Sequence, residues 1–428
     1  MIEILKKLNE LPEFRKACEL LKAEEQRTFE DHKELVMIPA PSYHEEEKAR
    51  RFQQKLEAEG FETVRDAVNN VYTVIKGTGD GPTVYMTAHL DTVFPLETPL
   101  EIVEKVPGKY FCPGINDDTA ACAQLLGIAR AIRGSGLKMK GTLILGGNVC
   151  EEGLGDLRGT KHFFAEHPGG IDGFISADGT GHSIIYRGIG SYRYEVCFSG
   201  PGGHSYGSFG MPNPISAMGR AIAKIADFDV PNDVKTTFNV GVVSGGTSVN
   251  SIAISATMYV DLRSYDKEKL DALDAEFKAA VKAAAEEENA RWRKDREKYS
   301  DKYTPKGAAP LAENIVVCNV KKVGDRPVAV QTEDAQILKL CTETFDFLGV
   351  PYYLREPEST DANIPISKGI PGLTLGVGGM GGGSHSNAEW YCPENLSEGQ
   401  KRLLLYLMVL LGVDGVSEPM LAKLQQEK

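Results

Sequence analysis

The cysteines of this chain form no metal-binding or redox motif. Eight are present among 428 residues, and none belongs to a C-x-x-C pair, which argues against a zinc ribbon or a redox dithiol. We expect them to be reduced thiols in a cytoplasmic protein. Any bound metal ion must therefore be held by histidine and carboxylate side chains.

Long apolar runs and an excess of basic residues are also missing. No apolar run approaches the length that spans a bilayer, and the segment Met1–Leu20 lacks the apolar core and cleavage site of a signal peptide. The formal net charge is −12, which does not suit a polyanionic partner. We therefore expect neither a membrane nor a nucleic acid as a partner.

The length of the chain predicts two domains, because 428 residues exceed what one hydrophobic core usually supports. Short apolar runs predict five buried strands: Val71–Ile75, Thr83–Ala88, Thr142–Val149, Phe174–Ala177 and Leu373–Val377. Helical patterns occur between some of them, at Glu45–Glu59 and Thr119–Arg133. Strands that alternate with helices predict an α/β fold with an open, mostly parallel sheet flanked by helices.

The segment from residue 189 to residue 328 has a different pattern. Its predicted elements follow the order β-α-β-β-α-β: Ser191–Phe198, Pro214–Phe228, Thr237–Val243, Ile254–Leu262, Lys267–Lys294 and Ile315–Val323. This order is the ferredoxin-like plan, and the helix Asp334–Leu348 then resumes the first pattern. We predict a main domain of residues 1–188 and 329–428, interrupted by a small domain at 189–328 that contains a loop at Lys298–Pro310.

Histidine and carboxylate side chains follow four of the predicted strands. They are His89 and Asp91, Glu151 and Glu152, Asp178 and, after a glycine-rich loop, His385. Open α/β sheets bind ligands beyond the carboxyl ends of their strands. We therefore expect these residues to converge, although they are far apart in the sequence.

Each motif taken alone has a structural alternative. His89-Leu90-Asp91 is compatible with a surface pair, and Asp117-Asp118 with capping of the helix that it opens. Glu151-Glu152 is compatible with a solvated turn. The last alternative is weak, because charged residues that directly follow an apolar run are costly to bury without a purpose.

Together these residues supply what two divalent ions with a shared carboxylate require, and oxygen and imidazole donors suit zinc, with cobalt or manganese as alternatives. Residues 89 and 91 of an extended chain project to the same side, so Asp91 can orient the imidazole of His89. Glu151 is left as the general base. It takes a proton from a metal-activated water and passes it to the departing amine.

The motifs and their order resemble those of the dinuclear zinc hydrolases that include peptidase T, glutamate carboxypeptidase, carnosinase, aminoacylase and succinyl-diaminopimelate desuccinylase. The resemblance extends from about Glu24 to about Leu411. Ala88–Pro95 is similar to the first metal motif of the family, Gly114–Asp118 to its bridging-aspartate motif, and Cys150–Gly153 to its base-and-ligand pair.

The resemblance implies a role for each of these residues. The metal ligands are His89, Asp117, Glu152, Asp178 and His385. Asp117 would bridge two zinc ions in each subunit, and a cis peptide bond would follow it. Asp91 and Glu151 are then the catalytic residues of the main, catalytic domain.

The inserted domain of the family is a lid through which two subunits pair, so the resemblance also implies a homodimer. His204 is similar to the lid histidine that stabilises an oxyanion in the partner's site. Asn250, Arg263 and Ser359 fall at positions that contact the substrate in the family.

The substrate class follows from Asp178 in the same way. Within the family, aspartate at this position accompanies aminopeptidases and dipeptidases, whereas glutamate is typical of carboxypeptidases and deacylases. The resemblance therefore implies a di- or tripeptidase similar to peptidase T that acts on short peptides. The alternatives are an N-acyl amino acid deacylase and a glutamate carboxypeptidase-type hydrolase.

Three further interpretations are less well supported. Gly203–Gly207 fits the G-x-S-x-G elbow of serine hydrolases, but no strand leads straight into it and two prolines delay any following helix. Gly376–Gly381 imitates a dinucleotide loop but leads into no helix. A non-catalytic peptide-binding protein could keep the fold, although loss of function tends to remove ligands or the base, and all of these are present.

Overall fold

The computed structural model describes residues 1–303 and 315–424, with residues 293–303 described by their backbone alone. The chain divides into two compact units. The first consists of Met1–Gly188 and Ala329–Lys428, and the second of Ile189–Val328. The second unit begins and ends where the β-α-β-β-α-β pattern of the sequence does.

Both units contain helices and strands. Within the described residues the helices are α1 (Ile2–Glu10), α2 (Pro12–Ala23), α3 (Glu25–Val36), α4 (Glu46–Ala58), α5 (Thr119–Ser135), α6 (Arg158–Glu166), α7 (Pro214–Ala226), α8 (Lys267–Tyr303), α9 (Gln336–Phe347), α10 (Asn363–Ser367) and α11 (Leu396–Leu411). The strands are β1 (Thr63–Arg65), β2 (Val71–Ile75), β3 (Thr83–His89), β4 (Val103–Val106), β5 (Lys109–Phe111), β6 (Thr142–Asn148), β7 (Gly173–Thr180), β8 (Ser183–Ile185), β9 (Gly190–Ser199), β10 (Gly203–His204), β11 (Thr236–Gly245), β12 (Ser251–Ile252), β13 (Ser255–Ser264), β14 (Val317–Arg326), β15 (Tyr353–Leu354), β16 (Gly372–Val377), β17 (Met380–Gly382) and β18 (Trp390–Cys392). None of these helices is long and apolar enough to cross a membrane.

An eight-stranded sheet forms the centre of the first unit, in the order β1-β2-β6-β3-β7-β16-β8-β15. Its four middle strands β6, β3, β7 and β16 are parallel. Alternate residues of β3 pack into different hydrophobic clusters: Val84, Met86 and Ala88 into one, and Tyr85 into another. The sheet is therefore covered on both faces, which is typical of parallel sheets, and the predicted α/β fold is confirmed.

Three neighbouring strands of this sheet bring predicted site residues together at their carboxyl ends. Parallel pairing aligns β3 with β6 as far as His89, and with β7 on its other side. The pair Glu151-Glu152 follows β6, and Asp178 lies within β7 just beyond its pairing with β3. The carboxyl ends of neighbouring parallel strands thus assemble the acidic residues around one histidine.

The sequence patterns do not predict a second sheet of the first unit, which is antiparallel and has the order β17-β18-β5-β4. Its strands are three or four residues long, and all of β4 is exposed, so they are too short to show a buried periodicity in the sequence. Pairing of β18 with β5 sets Tyr391 opposite Tyr110. This brings the loop that contains His385 beside the loop that contains Asp117.

The second unit is a four-stranded antiparallel sheet in the order β11-β13-β9-β14, with helices α7 and α8 packed against it. The strand order and the chain order together are those of a ferredoxin-like fold. Inward-facing residues of the strands, such as Val196, Phe198 and Met258, form a hydrophobic core with Phe277 of α8.

One prediction about the second unit is wrong in part. We predicted a loop at Lys298–Pro310, but α8 continues to Tyr303. The reason is the lack of any helix breaker before Pro305, because lysine, glutamate and arginine have good helix propensity. The remaining residues of the predicted loop, from 304 onward, lie outside the described residues.

Candidate active site

His89 ends strand β3 and is almost fully buried. Its Nε2 lies 3.0 Å from Oδ1 of Asp117, and its Nδ1 lies 3.0 Å from the main-chain oxygen of Asp91. A carbonyl oxygen can only accept a hydrogen bond, so in the neutral imidazole Nδ1 carries the hydrogen. Nε2 then points its lone pair into the acidic cluster, as a metal ligand does.

The Asp91 carboxylate has closer partners than the one we predicted. We expected it to accept a hydrogen bond from the imidazole of His89, and its Oδ1 lies 3.5 Å from Nδ1, which is long for a hydrogen bond. It accepts at shorter distances the main-chain N–H groups of Glu151 and Glu152, each at 2.9 Å, and the hydroxyl of Ser42 at 2.6 Å. A fully buried carboxylate is satisfied by the donors nearest to it, and here two of those three donors belong to the segment after β6.

Asp117 lies at the centre of the acidic cluster, in the loop between β5 and α5, and its peptide bond to Asp118 is cis. Its two carboxylate oxygens face different histidines. Oδ1 lies 3.0 Å from Nε2 of His89, and Oδ2 lies 3.3 Å from Nε2 of His385. A carboxylate that presents one oxygen to each of two imidazoles has the arrangement needed to bridge two metal ions.

His385 lies in the loop between β17 and β18, and its Nε2 is 2.8 Å from Oε1 of Glu152. The His385 side chain is 55% exposed and that of Glu152 only 9% exposed. The same imidazole nitrogen thus faces Glu152 and Asp117. These three side chains form a compact group at the surface end of the cluster.

Among the residues that the structure describes, three groups of side chains offer possible ligand atoms that lie within 4.8 Å of one another. They are His89, Asp117 and Asp178; Asp117, Glu152 and His385; and His89, Glu151 and Glu152. The first two groups share Asp117 and together contain all five predicted ligands. The third brings Glu151 beside a ligand of each of the other groups.

The pKa values indicate that the acidic cluster, when its carboxylates are all ionised, carries more negative charge than a buried site favours. Burial and the carboxylate of Asp117 raise the pKa of Asp178 to about 7. Hydrogen bonds to Asp117 and Glu152 raise the pKa of His385 to about 10. Burial lowers the pKa of His89, but its hydrogen bonds to Asp117 and Asp91 raise it well above its usual value. Without a metal ion, bound protons thus neutralise the negative charge of the carboxylates, and a divalent cation can neutralise it instead. Histidine and carboxylate donors of this kind suit zinc.

Three buried polar residues that we did not predict join the segments that carry these side chains: Asn116, Asp118 and Glu389. Asn116 donates from Nδ2 to Oγ of Ser384 at 3.0 Å, and its Oδ1 accepts the hydroxyl of Thr180 at 2.8 Å. Glu389 carries a signal in the sequence, because it is a lone acid between apolar residues. Asn116 and Asp118 lie within the Gly114–Asp118 motif, but that motif does not reveal their partners, which are distant in the sequence.

His204 and Asn250 lie close together in the second unit. The Nδ1 atom of His204 accepts the main-chain N–H groups of residues 206 and 207, at 3.2 and 3.3 Å. Its Nε2 therefore carries the hydrogen in the neutral ring and can donate it. The main-chain oxygen of Asn250 accepts the N–H of Ser205 at 2.9 Å, which ties the two segments together.

The other two predicted substrate residues lie elsewhere. Arg263, on β13, forms an ion pair with Asp261, and the same carboxylate also pairs with Arg193. Ser359 belongs to the first unit, between β15 and α10. It precedes Thr360 and Asp361, and the Asp361 carboxylate is hydrogen bonded to the last residue of β6.

The context of Ser205 does not support a serine hydrolase. Strand β10 before it has two residues, and the next helix begins at Pro214. A nucleophile elbow requires a strand that leads into the turn and a helix that leaves it directly. The glycines of Gly376–Gly381 lie in β16, β17 and the turn between them, so they do not open a helix as a dinucleotide loop does.

The chain matches the model of the peptidase family M20/M25/M40 over residues 85–409. This match spans more than half of the chain, and the chain belongs to that family. The protein is therefore a hydrolase that acts on amide or peptide bonds.

Individual proteins are similar to this chain over most of their length. The N-acetylcysteine deacetylase of Bacillus subtilis is 27% identical over 287 residues, which are 62% of this chain and 72% of the relative. A tripeptidase from Staphylococcus aureus has a TM-score of 0.69 at 20% identity, covering 89% of this chain and 97% of that one. The YXEP protein of Bacillus subtilis, described as a dinuclear metal binding peptidase, has a TM-score of 0.62 at 18% identity, covering 91% and 99%. At these identities the two structures establish a shared fold.

Proposed function

We propose that the protein is a peptidase with two metal ions, preferably zinc, that cleaves short peptides with a free amino terminus. The observation that carries this proposal is the Asp117 carboxylate, whose two oxygens face His89 and His385 of two different ligand groups. Each group supplies three protein ligands. Catalytic zinc sites use three protein ligands and leave a fourth position for water or substrate.

Glu151 is the residue that we assign to proton transfer. When bound, the two ions supply Lewis acidity, which lowers the pKa of water and polarises the substrate carbonyl. Glu151 is buried, and an oxygen of its carboxylate lies within 4.8 Å of the ligand atoms of His89 and Glu152. From this position it accepts the proton of the attacking water and delivers it to the departing amine.

Asp91 supports this assignment by holding the main chain at Glu151 and Glu152. Its two oxygens accept one N–H group from each residue at 2.9 Å. The base and the neighbouring ligand are therefore fixed relative to strand β3, which carries His89. Such preorganisation of reacting groups contributes several orders of magnitude to catalysis in favourable cases.

The substrate class rests on Asp178 and on the similar proteins. The family resemblance of Asp178 favours peptidases, and a tripeptidase shares the fold. An N-acyl amino acid deacylase is the second candidate, because the N-acetylcysteine deacetylase is 27% identical over 62% of this chain. Both reactions hydrolyse an amide with the same residues, and they differ in whether the substrate has a free amino group.

We also propose that the second unit pairs two subunits. Strand β11 lies at an edge of the four-stranded sheet, and its Val242 and Val243 are 57% and 54% exposed. An exposed apolar edge strand favours pairing with another chain. In the dimer, His204 would donate its Nε2 hydrogen to the oxyanion that develops in the partner's site.

We place the protein in the cytoplasm. All eight cysteines are free thiols, and five of them are buried, at positions 112, 122, 150, 341 and 392. Unpaired thiols suit a reducing compartment.

A substrate panel tests the proposal. Purified protein is assayed with di- and tripeptides, with the same peptides N-acetylated, and with N-acetyl amino acids, and Glu151→Gln serves as the control for contaminating peptidases. We expect the highest kcat/KM for peptides with a free amino terminus, and loss of all activity in the control. A higher kcat/KM for N-acetyl amino acids would establish the deacylase instead.

A further inference from the structure

Glu389 joins the segments that carry Asp117 and His385. It is fully buried and lies in the same loop as His385. Its Oε1 accepts the main-chain N–H groups of Asn116 and Asp117 at 2.7 and 2.9 Å, and its Oε2 accepts that of Gly114 at 3.0 Å. One side chain therefore sets the position of the Asp117 loop relative to the His385 loop.

Asp118 joins a different set of segments. It is fully buried and directly follows Asp117. Its Oδ2 accepts the main-chain N–H of His89 at 3.0 Å, and its Oδ1 accepts that of Gly179, the residue after Asp178, at 3.2 Å. This carboxylate therefore sets the position of the Asp117 loop relative to the ends of β3 and β7.

These hydrogen bonds divide between the two ligand groups. Glu389 connects Asp117 with His385, which belong to the group completed by Glu152. Asp118 connects Asp117 with His89 and with the segment that carries Asp178, and these residues form the other ligand group. Burying a carboxylate is costly unless it is hydrogen bonded, and main-chain N–H groups beside the ligands supply these hydrogen bonds to both side chains.

We propose that Glu389 and Asp118 are positioning residues with separate targets, an inference that rests on the proposed metal-dependent function. Glu389 sets the metal affinity of the group Asp117, Glu152 and His385. Asp118 sets the metal affinity of the group His89, Asp117 and Asp178. Groups that orient metal ligands change metal affinity about 10- to 100-fold when they are replaced.

Isosteric substitutions separate the two effects. Glu389→Gln and Asp118→Asn keep the shape of each side chain but replace one accepting oxygen with an NH₂ group, which can only donate. Whichever oxygen is replaced, the NH₂ group faces a main-chain N–H. Two donors repel each other, so the segment that carries this N–H must shift. Neither residue is a member of a ligand group within the described chain, so a direct loss of coordination is not involved.

The experiment measures metal affinity in backgrounds that retain a single ligand group. Asp178→Ala leaves the group that contains His385, and His385→Ala leaves the group that contains His89. The metal-free, full-length variants are titrated with Co²⁺ against a competing chelator, with absorption as the signal. This yields a Kd for Co²⁺ that does not depend on an activity assay.

We expect Glu389→Gln to raise the Kd about 10- to 100-fold in the Asp178→Ala background and less than about threefold in the His385→Ala background. We expect Asp118→Asn to give the reverse pattern. Equal effects of either substitution in both backgrounds, or no effect, would overturn the proposal.

Two controls keep the result interpretable. Wild-type protein that binds two Co²⁺ ions leaves the proposed function standing if the variants fail to differ, whereas wild-type protein that binds none removes the proposed function itself. If Asp118→Asn is unfolded without metal, Glu389→Asp provides the second test. It keeps the charge but is too short to reach all three N–H groups, so it should raise the Kd in the Asp178→Ala background alone.

Discussion

The substitution Asp91→Asn should impair both stability and catalysis, because this carboxylate is the buried acceptor for the chain around the general base. Asp91 accepts hydrogen bonds from Ser42 at 2.6 Å and from the N–H groups of Glu151 and Glu152 at 2.9 Å. In asparagine one oxygen becomes an NH₂ group. That group must face either the N–H of Glu151 or the N–H of Glu152.

The magnitude follows from these contacts. A hydrogen bond to a charged group contributes about 1.5–3 kcal/mol, and at least one is lost while a buried donor is left unpaired. We therefore expect the free energy of unfolding of the metal-free protein to fall by about 2–4 kcal/mol. Misplacement of Glu151 should lower kcat/KM about 10- to 100-fold, which corresponds to about 1.4–2.8 kcal/mol of transition-state stabilisation.

Two assays and one matched control test this reasoning. Urea unfolding followed by circular dichroism gives the stability, and steady-state kinetics on the best peptide of the panel give kcat/KM. Ser42→Ala is the control, because it removes one donor to the same carboxylate and leaves both N–H bonds in place. It should cost less in both assays. Stability of Asp91→Asn within about 0.5 kcal/mol of wild type, or an equal loss in Ser42→Ala, would refute the role assigned to Asp91.

Three further outcomes follow from the structure and from the proposed function. Glu151→Gln should lower kcat by at least about 100-fold while both metal ions stay bound; loss of metal in this variant, measured by mass spectrometry, would make Glu151 a ligand. Burial lowers the pKa of His32 from 6.5 to about 3, so the stability it confers is present above pH 6.5 and is lost as the pH falls towards 3. His32→Gln should then reduce the pH dependence of the unfolding free energy in this range by up to about 1.4 kcal/mol per pH unit; an unchanged slope in chelated protein would contradict this. Glu151→Ala and His204→Ala should each be severely impaired, and subunit exchange between them should recover roughly a quarter of wild-type activity, because half of the dimers regain one of two sites; no recovery after confirmed exchange would exclude a shared site.

Five of the eight strands of the central sheet, namely β2, β3, β6, β7 and β16, could be predicted because they are short apolar runs that carry their own signal. Parallel pairing then places the ends of β3, β6 and β7 together, which is why His89, Glu151, Glu152 and Asp178 could be grouped without a structure. Their convergence is a consequence of topology rather than of any local motif. The metal-binding and catalytic roles of these residues stay predictions.

The parts that could not be predicted depend on pairings between distant segments. The sheet formed by β17, β18, β5 and β4 consists of short and partly exposed strands, which have no buried periodicity. Two of the partners of Asp91 are main-chain N–H groups, which every residue but proline carries, so side-chain patterns do not reveal them. The same holds for Glu389 and Asp118, whose partners are also main-chain donors.

The shared Asp117 carboxylate is the central claim, and the number of metal ions per chain tests it most directly. Wild-type, Asp178→Ala, His385→Ala and Asp117→Ala proteins are loaded with Zn²⁺, freed of excess metal and analysed by native mass spectrometry. We predict two ions for wild type, one for Asp178→Ala, one for His385→Ala and none for Asp117→Ala, because only Asp117 belongs to both ligand groups. Retention of two ions by Asp117→Ala, or full peptidase activity of wild-type protein that holds no metal, would contradict the account.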